Sequence, residues 1–166
     1  MKIRWFVYIV IGIIFGVFDF FFHRFISNVL VQGEIFWRVL TYSVWLVPIV
    51  PIALFEARIS KSRVRSGLAS SLTWILSIIF YYLYMAVQLA FIGISTRPEL
   101  HITSLGEEPY FWENWKNVFW SDVVGSIVEW SGVAVIGGFI IGFSISFIYL
   151  GLEKLIKFRR KINKEI

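Results

Sequence analysis

No cysteine occurs anywhere in the 166 residues. That excludes disulfides, thiolate nucleophiles and thiolate metal sites, and says nothing of the redox compartment. Histidine is nearly as scarce: His23 and His101 are the only two, in different segments. HExxH or HxxxH metal spacing is missing, and no tight nucleophile–base pairing is visible. No serine stands in a GxSxG elbow, and no glycine-rich phosphate loop opens a helix. The sequence therefore offers no catalytic residue, no metal site and no cofactor. An enzyme on the outer face would have only His23, His101 and nearby acids to draw on.

Charge is also sparse, at 16% of residues, and it is confined to a few segments. Apolar residues make up 58% of the chain, against about 45–50% in an ordinary soluble domain. Mean hydropathy is +0.74. Four apolar runs stand out, at 5–22, 39–55, 68–94 and 123–152, and the shortest has 17 residues. Runs of about 17–25 residues cross a hydrocarbon core, and longer ones cross with tilt. The pattern predicts an all-α integral membrane protein, one domain over 1–166, with four transmembrane helices joined by short connections. Lys2 and Arg4 before the first run imitate a signal peptide. Yet no small-x-small cleavage site follows, and Phe20, Phe21, Phe22 and Phe25 fill that place. The run is read as a retained span.

Lysine and arginine set the orientation. Twelve of them fall at the N-terminus, in the 56–66 connection and in the 153–166 tail; Arg24, Arg38, Arg97 and Lys116 fall elsewhere. The positive-inside rule then puts both termini in the cytoplasm. The basic segments fit anionic lipid headgroups. They are too short and lack the aromatic interleaving that nucleic acid requires. The expected location is the cell membrane, with multiple passes.

Aromatics are abundant at 19%, with eight tryptophans. Phe111, Trp112, Trp115, Phe119 and Trp120 recur at helical spacing in an otherwise polar stretch. They predict a short amphipathic helix at the outer interface before the last span. Proline is rare, four in all, and two sit inside the second span. Pro48 and Pro51 predict a kink or local unwinding there.

Within the spans, small residues four apart mark faces that admit a close neighbour. Gly12 and Gly16 form one pair, which is either such a surface or a chance occurrence. Gly138, Gly142 and Ser146 form a second stripe, expected to pack on another helix of the protomer or of a dimer. Glu129 precedes Gly138 by nine residues, about 900° of helix, so acid and stripe face opposite ways.

The polar residues of the outer half are Asp19, His23, Arg38, Gln88 and Glu129. Ionisable groups within a span face a partner or a water cavity. Two readings stay open. In one, Asp19 and Glu129 hold a cation or proton, helped by Gln88 and Arg38, with His23 one turn from Asp19. In the other, the same groups form a structural network with no ligand. Function divides likewise. The first expectation is a non-catalytic subunit, scaffold or homo-oligomeric membrane component, with a membrane protein or a second copy as partner. The alternative is a minimal transporter or channel built on Asp19 and Glu129.

Overall fold

The structure is a computed structural model, and it describes residues 2–29, 34–91 and 109–165. Among the described residues every regular element is helical: α1 (Lys2–Val29), α2 (Glu34–Ser43), α3 (Leu46–Ser60), α4 (Arg63–Phe91), α5 (Phe111–Val118), a π-helical turn (Phe119–Val124) and α6 (Gly125–Glu165). Four stretches are long and apolar enough to cross a membrane: Ile3–Ile26, Arg38–Ser60, Arg63–Phe91 and Phe111–Arg160.

The central post is α4. Helices α1, α3 and α6 all pack against it, and its buried residues include Ser66, Ala69, Ser70, Thr73, Ser77, Tyr81, Met85 and Leu89. Four of its five buried serine and threonine hydroxyls are compatible with burial because they donate to backbone carbonyls. Thr73 donates to the Ala69 carbonyl at 3.0 Å and Ser77 to the Thr73 carbonyl at 2.8 Å. Ser71 and Ser66 bond outward instead, to Val135 of α6 at 2.9 Å and to Ala53 of α3 at 3.1 Å. Small side chains thus let three helices approach one closely.

Glycines set the closest approaches. A β-carbon on Gly12 would stand 2.8 Å from the Thr73 carbonyl oxygen, and one on Gly16 would collide with that of Ser77. The Gly12–Gly16 face therefore lies directly on α4. A β-carbon on Gly138 would meet the Ser71 α-carbon at 2.8 Å, and one on Gly142 the Ser66 carbonyl oxygen at 2.7 Å. Ser146, fully buried, continues that face. The second stripe packs within the protomer, against α4.

These contacts also fix direction. Gly12, Gly16 and Phe20 meet successively later residues of α4, so α1 and α4 run parallel. Gly138 and Gly142 meet successively earlier ones, and Trp45 and Ala53 of the α2–α3 segment do the same at Trp74 and Ser66. The four long segments alternate, and the two chain ends share one end of the bundle.

The second apolar run breaks into two helices at Val44–Trp45, four residues before Pro48. Pro48 has no N–H to give the Val44 carbonyl, and its ring crowds that carbonyl. The Val47 N–H takes the place at 3.0 Å, tightening the turn. Pro51 lies inside α3 without ending it.

The amphipathic aromatic stretch differs in part from expectation. It is helical, but the π-helical turn joins it directly to α6, and one face packs on α4. Phe111 is buried, and the Trp115 indole N–H donates to the Ala86 carbonyl at 3.2 Å. Trp112 and Trp120 remain more than half exposed. The indole donor reaches a carbonyl near the end of α4 from a separate helix, a contact that periodicity alone does not reveal.

Candidate functional site

The best-built polar site lies at the end of the bundle shared by the chain ends. Glu56 closes the apolar part of α3 and is fully buried. Its Oε2 accepts the Tyr8 hydroxyl at 2.7 Å and pairs with Arg4 Nη1 at 3.1 Å. Both partners are on α1, one turn apart, so a single carboxylate fastens α1 to α3. Tyr8, Ile52 and Ala69 pack together beside it, which keeps the dielectric low and the pair strong. The other oxygen, Oε1, is buried with no hydrogen-bond partner among the described residues, as is Ser70 Oγ deeper in α4.

Sequence reasoning missed Glu56 because it opens a basic connection and reads as part of it. A signal was present: it is the sole acid in that segment, and Lys2–Arg4 stand at the matching end of the first run. Nearby, Lys61 adopts the left-handed conformation that ends α3, with φ 52°. Its ammonium reaches Glu153 of α6 at 2.6 Å, and the Arg63 guanidinium sits 4.3 Å from the Phe147 ring centre. The basic turn is thereby tied to the start of the C-terminal tail.

The five residues expected to share the outer half are dispersed differently. Asp19 is 3% exposed. His23 is half-buried, with its ring edge-on to Tyr81 at 6.3 Å. Gln88 is buried and donates to the Tyr84 hydroxyl at 2.8 Å. Its place on α4 is beyond Tyr84, whereas Asp19 adjoins Phe20, which packs on Tyr81 and Tyr84. Glu129 and Arg38 are exposed on the outside of the bundle. Among the described residues no hydrogen bond or ion pair joins Glu129 to Asp19, Gln88 or Arg38, and no cluster of three metal-ligating side chains occurs. The interior thus holds Asp19 and Gln88, and the periphery holds Glu129 and Arg38. His101 falls outside the described residues.

An apolar cleft of about 360 Å³ opens between the C-terminal part of α4 and α5, lined by Ala86, Ala90, Trp112, Trp115 and Phe119 among others. It has no polar group to orient a ligand.

No protein-family model, curated protein or solved structure matches the chain. Function therefore has to be argued from the side chains alone.

Proposed function

We propose that the protein is an integral membrane component with four spans and both termini in the cytoplasm, acting without catalysis by packing against other protein in the bilayer. The observation that carries this reading is the exposed Glu129. Glu129 lies eighteen residues from Phe147, about 27 Å along a helix at 1.5 Å per residue, and Arg63 stands over Phe147 at the basic end. A hydrocarbon core is about 30 Å thick, so Glu129 falls near its outer edge. Lipid tails cover the apolar side chains around it but not a carboxylate, which calls for a protein partner or a water path. The interior acid Glu56, by contrast, is already engaged in fastening helices. Lys and Arg at the opposite end fit the cytoplasmic leaflet and its anionic headgroups.

The test is isolation of the full chain in mild detergent. The reading expects a multimer, or a second membrane protein in fixed stoichiometry. A lone monomer that binds nothing would contradict it.

Buried Asp19 favours a second reading, a proton or cation site inside the bundle. Ion flux into vesicles carrying the protein, abolished by Asp19→Asn, would support it. Equal flux with and without the protein would reject it.

A further inference from the structure

The geometry points to a monovalent metal cation of the sodium class, held inside the bundle between Asp19 of α1 and Thr41 of α2 beside Tyr81 of α4. The assignment rests on the second reading of the proposed function and deepens it by naming the ligands and the ion.

Three observations bring these groups together. First, the Phe15 and Trp45 rings stand 5.8 Å apart. Asp19 is four residues after Phe15, and Thr41 is four before Trp45. The α2–α3 segment runs antiparallel to α1. The Val44 N–H still bonds the Leu40 carbonyl at 3.1 Å, so the helical turn carries on past Thr41. Each step of four residues is therefore one turn, about 6 Å, in the same direction and along the same face. Asp19 and Thr41 oppose one another one layer beyond Phe15 and Trp45. Second, α4 closes that layer. A β-carbon on Gly16 would meet the Tyr81 backbone nitrogen at 3.0 Å, and the Phe20 and His23 rings lie 6.0 and 6.3 Å from the Tyr81 ring. Asp19 lies between Gly16 and His23 on one face of α1, at the level of Tyr81. Third, the layer is short of partners. The Thr41 Oγ1 is buried with no hydrogen bond, although a helical threonine commonly bonds the carbonyl one turn back. Thr41 thus stops short of the Asp19 carboxylate, and an occupant between the two satisfies both.

The chemistry of the layer selects the occupant. Carboxylate, hydroxyl and phenol are all oxygen donors, which suit hard cations. One carboxylate balances a single positive charge, whereas a calcium-type site draws on several; among the described residues no cluster of three metal-ligating side chains occurs. The ion pairs among the described residues are Arg4–Glu56, Lys61–Glu153 and Lys157–Glu153, none of them at Asp19. A bound cation supplies the counter-charge that an acid 3% exposed within a span requires.

The experiment is equilibrium binding of radiolabelled sodium to the full chain in detergent, with choline holding the ionic strength constant. Wild type is expected to bind one sodium ion per chain, and Asp19→Asn to bind none. Thr41→Val should weaken binding about tenfold or more, the scale on which losing a group around a metal acts, while Thr41→Ser keeps the hydroxyl and should stay within about threefold of wild type. Thermal unfolding gives a second readout. Sodium should raise the melting temperature above that in choline for wild type and Thr41→Ser, because only the folded chain binds it. The two Thr41 variants decide the matter if Asp19→Asn does not fold. A wild-type chain that binds no sodium would overturn the proposal, as would Thr41→Val binding as tightly as wild type. Proton flux into vesicles that Asp19→Asn abolishes, with no sodium bound, would overturn the metal cation and leave the second reading standing. Neither flux nor binding would overturn both.

Discussion

Glu56 is the residue on which the basic end of the bundle depends. Removing one member of a buried ion pair strands the other, which costs about 3–5 kcal/mol. Glu56→Ala leaves the Arg4 guanidinium and the Tyr8 hydroxyl without their acceptor and should lower thermal stability in detergent by that order. Tyr8→Phe removes one hydrogen bond to a charged group and should cost about 1.5–3 kcal/mol. The Lys61–Glu153 pair is shorter, at 2.6 Å, but its side chains are 49% and 26% exposed. Water competes there, so Glu153→Gln should cost about 0–1 kcal/mol. Thermal unfolding of the three variants ranks them. If Glu153→Gln were as damaging as Glu56→Ala, burial would not be what decides.

At the scale of elements, glycine placement separates faces that pack from faces that do not. Gly142→Leu drives a branched side chain into Ser66 and Ser70 of α4, and overpacking of this kind costs about 1–3 kcal/mol or more. Gly151→Leu has nothing within 4 Å and should stay within about 0.5 kcal/mol of wild type. Equal melting temperatures for the two variants would remove α6–α4 packing as the explanation. The tryptophans offer a second check. Trp115 is held against Ala86, whereas Trp112 and Trp120 are exposed. An acyl-chain or headgroup quencher should reach Trp112 and Trp120 before Trp115, and the reverse order would reject the docking of α5.

Much of this was legible from period and composition. The apolar runs reported the long helices, and Pro48 reported the break, because a missing N–H acts locally. Even the half-turn between Glu129 and Gly138 was readable, since helical geometry fixes it. Partnership was not legible. Which acid is satisfied depends on which helices meet, and sequence spacing within one helix carries no such information. Hence Glu56 was hidden among basic residues, and the five polar residues of the outer half read as one group. Three-dimensional register divides them into an interior pair, Asp19 and Gln88, a half-buried His23 and a peripheral pair, Glu129 and Arg38.

For the whole molecule, everything argued from Glu129 depends on the bundle lying across a bilayer with its basic end inside. The alternating directions of α1, α3, α4 and α6 put Arg4, Glu56, Lys61 and Glu153 at one end. Phe91 of α4 and Phe111 of α5 lie at the other end. Single cysteines test this directly, because the chain has none of its own. In intact cells, Ser104→Cys should react with a membrane-impermeant maleimide, and Ser62→Cys should react only after the cells are opened. Reaction of both positions from outside, or of Ser62→Cys alone, would contradict the account.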